Sequence, residues 1–265
     1  MLSPWNLLIP ALISVSQEAG AGILRLWKSE RLQISLKEDA SPVTQADQQS
    51  HDLISERISA LTPHIPIVSE EHSANHLEDY HEQLFWLLDP LDGTKEFIAG
   101  RADFCINLAL IQDHQPIVGL LALPAYQTLY WAIKGEGAFK RLPSGSTVRL
   151  ANHQHTLSSV IRMVCSLSHL DPRTKQYLSL YPQADVKAFG GARKMIALAE
   201  KEADLYPRFG PTMEWDTAAP HIILQECGGE IWDVATTQPL RYGKPGFKND
   251  SFIGTSSAKP PIFSR

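Results

Sequence analysis

Asp89-Pro90-Leu91-Asp92-Gly93-Thr94 crowds two carboxylates and a hydroxyl into one short stretch. The apolar run Leu84-Phe85-Trp86-Leu87-Leu88 precedes it and reads as a buried strand. The hexapeptide therefore reads as a short turn at a strand end, where Pro restricts one backbone angle and Gly permits a sharp bend. Carboxylates that close repel one another unless a cation lies between them, and oxygen-only ligands suit a hard ion such as Mg²⁺. Asp, Pro and Gly are also ordinary turn residues, so these residues alone leave a plain β-turn open. Two more acidic segments bear on the choice. Upstream, Ile67-Val68-Ser69-Glu70-Glu71 is another short apolar run ending in acids. Downstream, Glu214-Trp215-Asp216-Thr217-Ala218-Ala219 opens a helical pattern that continues through Ile222, Ile223 and Glu226. Taken singly, the first also fits a solvated loop and the second an acid complementing a helix N-terminus. All three in one chain are harder to explain that way.

The rest of the composition sets bounds. A chain of 265 residues buries a large core in one or two domains. Its 43% hydrophobic and 20% charged residues are ordinary for a soluble globular protein. A formal net charge of -5 argues against a general binder of nucleic acid polymers, which carries a basic face. Cys105, Cys165 and Cys227 lack paired metal-ligand spacing, which fits small core residues in a reducing compartment without a disulfide framework. Asn6, Gln17 and Glu18 interrupt the N-terminal apolar positions, unlike a signal peptide. No run reaches the length of a membrane span. The expected location is cytoplasmic, with peripheral association at the inner membrane face left open.

Along the chain, Ser3-Pro4 is a helix start, with Pro10 as an alternative start, for a helical pattern through Leu12, Val15, Ala19, Ile23 and Leu26. A second helix follows Pro42-Val43-Thr44 and runs through Leu53, Ile54, Ile58 and Leu61 to the stop at Thr62-Pro63. Residues 65–133 then turn strand-like, with a hairpin expected between Phe104–Ile111 and Pro116–Leu123. Pro143-Ser144-Gly145-Ser146 is a loop and the nearest thing to a linker. Beyond it, strand-like and helical segments alternate, which implies helices packed on a sheet. Periodicity alone supports mixed α and β.

On these motifs the chain resembles the inositol monophosphatase superfamily of magnesium-dependent, lithium-sensitive phosphatases. The matching segments are Ser69-Glu70-Glu71, Asp89-Pro90-Leu91-Asp92-Gly93-Thr94 and Trp215-Asp216-Thr217-Ala218-Ala219, in the family's order. Asp92-Gly93-Thr94-Lys95-Glu96-Phe97 and Leu205-Tyr206-Pro207-Arg208-Phe209-Gly210-Pro211-Thr212 are most similar to the bacterial CysQ-type 3′(2′),5′-bisphosphate nucleotidases. The resemblance implies an α/β (α+β) fold, a layered α-β-α-β-α sandwich. Its N-terminal α+β half (1–145) would carry most metal ligands, and its C-terminal α/β half (146–265) the substrate loops and the last ligand.

The same resemblance implies a site. Glu70, Asp89, Asp92 and Asp216 would bind about two or three Mg²⁺ ions through their side chains, and Leu91 through its backbone carbonyl. Thr94 would orient the attacking water and Asp47 would help activate it, although Asp47 also fits a helix-start carboxylate. Substrate contacts fall on Glu70, Leu91, Asp92, Gly93, Thr94 and Asp216, and on Ser168, His169, Gly190, Lys194 and Arg208. Gly191 and Ala192 depart from the pattern, since serines usually stand there. The implied activity is removal of the 3′-phosphate from adenosine 3′,5′-bisphosphate, a by-product of sulfate assimilation, or from phosphoadenosine phosphosulfate. The partner would be a small phosphorylated nucleotide, and the protein a monomer or homodimer. An inositol or broader sugar-phosphate phosphatase is the alternative, and an inactive nucleotide-binding protein on the same fold a third reading.

Overall fold

The computed structural model describes residues 3–27, 29, 34–36, 42–71, 83–152, 160–168 and 170–261. Ser3 caps a 3-10 turn at Pro4–Leu7, and helix α1 (Ile9–Trp27) follows with Pro10 in its first turn. A proline there forfeits no helical hydrogen bond, so the two starts expected from sequence exist as separate turns. Strands β1 (Ile34–Leu36) and β2 (Pro42–Thr44) pair antiparallel and lead into α2 (Gln45–Leu61). Thr44 and Asp47 form a reciprocal capping box at the start of α2.

Next come β3 (Ile67–Ser69), β4 (Leu84–Asp92), the short helix α3 (Thr94–Ile98), β5 (Cys105–Gln112) and β6 (Gln115–Leu123). Asp113 and His114, both with positive φ, make the two-residue turn of the expected hairpin. Strands β7 (Thr128–Ile133), β8 (Gly137–Arg141) and β9 (Thr147–Arg149) complete a seven-stranded sheet in chain order. The 143–146 stretch is the tip of the β8–β9 hairpin, closed by Leu142 N–H donating to the Ser146 carbonyl at 2.9 Å.

The remaining elements alternate as the sequence suggests: β10 (Arg162–Ser166), α4 (Pro172–Ser179), β11 (Asp185–Phe189), α5 (Arg193–Ala199) and β12 (Leu205–Arg208). They are followed by β13 (Thr212–Met213), α6 (Ala218–Glu226), β14 (Glu230–Asp233), β15 (Lys248–Asn249) and β16 (Phe252–Thr255). A five-stranded sheet results, in the order β11-β10-β12-β16-β14, and β13 pairs separately with β15.

Side-chain alternation sorts these elements into layers. From the large sheet, Trp86, Leu88, Leu108 and Leu120 pack with Leu12, Ile23, Ile54 and Ile58 of α1 and α2. The opposite face, with Phe85, Leu87, Ala109 and Leu121, packs with α5 and α6. Those helices also touch the five-stranded sheet, and Tyr177 of α4 covers its far side against Met163 and Ile253. The order is thus helices, sheet, helices, sheet, helix, the layered α-β-α-β-α sandwich.

Gly119 sets how closely α6 lies on the large sheet. A Cβ there would stand 2.6 Å from the Ala219 carbonyl oxygen, 3.1 Å from the Ala219 Cα and against the Ile222 side chain. Helix backbone cannot move aside as a flexible side chain can. We expect Gly119→Ala to lower stability by about 1–3 kcal/mol, in the range of core overpacking. Denaturant unfolding measures it, and an unchanged midpoint would contradict this close approach.

Candidate active site

Asp89 and Asp92 sit three positions apart on β4, a spacing that sends side chains to opposite faces of a regular strand. Here Asp89 pairs with Asn107 and Asp92 with Cys105, so three steps on β4 face two on β5. The extra residue is a β-bulge, and it returns both carboxylates to one side. This corrects the expected turn at a strand end: β4 runs through Asp92 and bends within the motif. Pro90, without an N–H to donate, occupies the irregular stretch. Leu91 buries its side chain in the core shared with α1 and α2, and its N–H donates to Asp89 Oδ1 at 3.0 Å. Gly93 follows at φ +88°, where a Cβ would lie 2.8 Å from the Asp103 carbonyl oxygen, so only glycine fits.

Asp216 arrives from the other half, in a 3-10 turn (Glu214–Asp216) ahead of α6. Its Oδ2 accepts from Met213 N–H at 2.9 Å. The preceding acid, Glu214, is fully buried, accepts from Gly243 N–H at 2.6 Å and pairs with Lys244 Nζ at 2.7 Å, which anchors the turn. One oxygen each from Asp89, Asp92 and Asp216 lie within 4.8 Å of one another. Burial, then the charges of Glu70, Asp92 and Asp216, push Asp89 well above the usual carboxylate range. Burial and the charges of Asp92 and Glu70 do the same to Asp216. Burial also raises Asp92, opposed by the Lys194 ammonium and a hydrogen bond from Cys105 Sγ at 3.3 Å. Converging oxygen donors that destabilise one another's charge fit a hard divalent cation such as Mg²⁺.

Helix α2 braces three parts of this centre from one side. Asp47 Oδ2 accepts from Thr44 N–H at 2.7 Å, while Asp47 Oδ1 lies 3.1 Å from Thr94 Oγ1. The Thr94 hydroxyl is also 3.1 Å from the Leu91 carbonyl, and its single proton serves one acceptor at a time. Ser50 donates to the Pro90 carbonyl at 2.8 Å, and His51 Nδ1 lies 2.8 Å from Ser69 Oγ, beside Glu70. The motif match singles out Asp47 alone. Ser50 and His51 follow it at the i+3 and i+4 spacing that shares a helix face, a signal present in the sequence but without a visible partner.

Above the carboxylates opens a cleft of about 670 Å³. Glu70, Asp92, Gly93, Thr94 and Asp216 line it together with Ser168, Gly190, Lys194 and Arg208, while Asp89 and Leu91 are buried. His169 lies outside the described residues. Lys194, in the first turn of α5, donates to the Gly191 carbonyl and sits 5.6 Å over the Tyr206 ring. Arg208 donates to the Pro211 carbonyl at 2.8 Å. Ser168 Oγ donates to Glu96, a buried acid that also pairs with Arg101 at 3.5 Å. Asp103 binds Gly190 N–H at 3.3 Å and Arg193 at 2.9 Å. From sequence, Glu96 has a place in the subfamily motif but no role, and Asp103 has neither, because the partners of both lie far along the chain. At Gly191, where φ is +47°, a Cβ would stand tight against the site, 3.1 Å from Asp92 Oδ2 and 3.3 Å from Cys105 Sγ.

The raised carboxylates give a sign to the pH dependence. Without cation the folded chain keeps protons that the unfolded chain releases near the ordinary value of about 4, so this cluster's contribution to stability falls as pH rises. Asp89→Asn removes one charge and keeps the acceptor for Leu91 N–H. In cation-free buffer it is expected to melt at or above the wild-type temperature near about pH 7, the advantage narrowing toward about pH 4. A lower melting temperature near neutrality would contradict mutual repulsion in the cluster.

Residues 6–259 match the inositol monophosphatase family. The chain is 34% identical over 240 residues to the 3′(2′),5′-bisphosphate nucleotidase CysQ of Salmonella typhimurium, covering 88% of this chain and 96% of that one. It is 34% identical over 255 residues to the CysQ of Buchnera aphidicola, covering 95% of each. The crystal structure of CysQ from Bacteroides thetaiotaomicron superposes with a TM-score of 0.81 at 31% identity, over 94% of this chain and 97% of that one. An IMPase/NADP phosphatase complexed with Mg²⁺ and phosphate shares the fold at a TM-score of 0.79 and 18% identity, over 97% and 93% of the two chains. By this match, which spans both sheets and every segment of the carboxylate cluster, the chain belongs to the inositol monophosphatase family.

Proposed function

We propose that the chain is a Mg²⁺-dependent 3′(2′),5′-bisphosphate nucleotidase that converts adenosine 3′,5′-bisphosphate to AMP and inorganic phosphate. One observation carries this reading: the buried Asp89 carboxylate converges with those of Asp92 and Asp216, which line the cleft together with Thr94, itself bonded to Asp47. The CysQ relatives support the choice of substrate. In this reading Glu70, Asp89, Asp92 and Asp216 hold Mg²⁺ through side chains and Leu91 through its carbonyl. Bound there, Mg²⁺ supplies Lewis acidity that lowers the pKa of water and stabilises a departing oxygen.

The chain's own groups aim the reaction. The Thr94 hydroxyl accepts a proton from the attacking water and passes its own to Asp47 Oδ1, 3.1 Å away. Burial raises Asp47 despite the hydrogen bonds it accepts, which makes it a better proton acceptor. The backbone N–H groups of Gly93 and Thr94, at the start of α3, bind the scissile phosphate, and water enters in line with the leaving oxygen. Lys194 and Arg208 face the cleft as cations for the second phosphate, with Ser168 and Gly190 beside the nucleoside; the family match adds His169 to these contacts. Residues 1–145 thus bring most cation ligands, and residues 146–265 bring Asp216 and the substrate loops. Among the described residues no helix is long and apolar enough to cross a membrane.

Phosphate release from adenosine 3′,5′-bisphosphate, phosphoadenosine phosphosulfate, inositol 1-phosphate and fructose 1,6-bisphosphate tests the reading. The highest kcat/KM is expected with adenosine 3′,5′-bisphosphate, and none with EDTA present. Thr94→Ala is expected to lower kcat by roughly 10²–10⁴-fold, with Mg²⁺ affinity kept. A preference for inositol 1-phosphate would overturn the substrate assignment, and a matching collapse of Mg²⁺ affinity would overturn the role given to Thr94.

A further inference from the structure

Asn107 is buried at 1% exposure on β5, and neither its Oδ1 nor its Nδ2 has a hydrogen-bond partner among the described residues. Its neighbours in the strand, Ile106, Leu108, Ala109 and Leu110, are buried and apolar. An amide in such surroundings with neither end paired opposes folding and calls for an explanation. The register supplies one. Asn107 stands directly across from Asp89, and Cys105, the next residue on the same face of β5, stands across from Asp92 and already touches its carboxylate. Opposite residues of an antiparallel pair share a face with Cβ atoms about 4.5–5.5 Å apart. The unpaired amide therefore lies beside the most buried of the converging carboxylates.

Asp89 has one oxygen engaged by Leu91 N–H and shares a side-chain hydrogen bond with Glu70. Apart from that one N–H, its partners in the cluster are acids that lose their donor once they ionise around a cation. A carboxylate placed this way needs a donor to hold it while it serves a cation, and a carboxamide carries two N–H groups. We propose that Asn107 is a positioning residue of the cation centre, whose carboxamide steadies Asp89, directly or through one buried water, when a divalent cation binds. The proposal rests on the reading of Asp89, Asp92 and Asp216 as cation ligands. It explains why a costly amide occupies a place where an apolar side chain would fill the core.

Asn107→Val and Asn107→Thr test it, because valine and threonine share a shape and differ by one hydroxyl. Calorimetric titration with Mg²⁺ and melting in EDTA, both without substrate, are compared for wild type, the two variants and Asp89→Asn. Asn107→Val should melt in EDTA at or above the wild-type temperature, since an unpaired polar group has gone. It should bind Mg²⁺ about 10–100-fold more weakly, the usual effect of removing a partner behind a metal ligand. Asn107→Thr should recover part of that affinity. Wild-type Mg²⁺ affinity in Asn107→Val would overturn the proposal, as would a Thr variant as weak as the Val one, which would assign the loss to shape. Misfolding or a lower melting temperature of Asn107→Val in EDTA would also overturn it, by making the amide part of the cation-free fold. Should Asp89→Asn bind Mg²⁺ as wild type does, the cation-site reading itself fails and this proposal with it.

Discussion

Three carboxylates from two halves of the chain lie within 4.8 Å of one another, against their own electrostatics. Burial weakens their solvation and each charge disfavours the next. The surroundings relieve this only in part: Lys194 and the Cys105 thiol oppose the trend at Asp92, and the Met213 N–H and then Arg208 oppose it at Asp216. The cluster therefore exists because the scaffold enforces it. A bulge in β4 turns Asp89 and Asp92 the same way, and a 3-10 turn locked by Glu214 and Lys244 brings Asp216 to meet them. The repulsion that costs stability here is what a bound cation would relieve.

Enforcement of that kind needs rigid surroundings, and the layered packing provides them. Strands β4, β5 and β6 are buried on both faces, so the bulge cannot relax without disturbing the core on either side. Helix α6 reaches the sheet at Gly119 with no room to spare, which holds the Asp216 turn at a set distance from β4. From the opposite face α2 grips the two acidic segments and Thr94 through Ser50, His51 and Asp47. At the cleft, Glu96 holds Ser168 and Asp103 holds Gly190 and Arg193, which fixes two of the lining loops.

Much of this was legible in the sequence, and the rest was hidden for physical reasons. Alternating and helical periodicity exposed the main helices and the β5–β6 hairpin, because one-sided burial leaves a periodic trace. The carboxylates stood out because acids next to buried strands are costly without a purpose, and Thr94 because it completes the family motif Asp89-Pro90-Leu91-Asp92-Gly93-Thr94. The bulge was invisible: Asp-Pro-Leu-Asp-Gly reads as a turn by composition, and only pairing with β5 shows that the strand continues. Glu96, Asp103 and Asn107 look like an exposed charge, a loop acid and a strand polar residue until their neighbours, tens of residues away, are known. From sequence, Gly191 is only a departure from the family's usual serine. The structure sets it at φ +47°, with the place of a Cβ 3.1 Å from Asp92 Oδ2.

The central claim is that the enforced cluster is a cation site, and anomalous diffraction from crystals soaked in Mn²⁺, a hard-ligand stand-in for Mg²⁺, tests it most directly. The account predicts a strong anomalous peak between the Asp89, Asp92 and Asp216 carboxylates, within ordinary ligand distance of each, that Mg²⁺ in excess displaces. Full-occupancy density elsewhere with no peak among these three residues would contradict it.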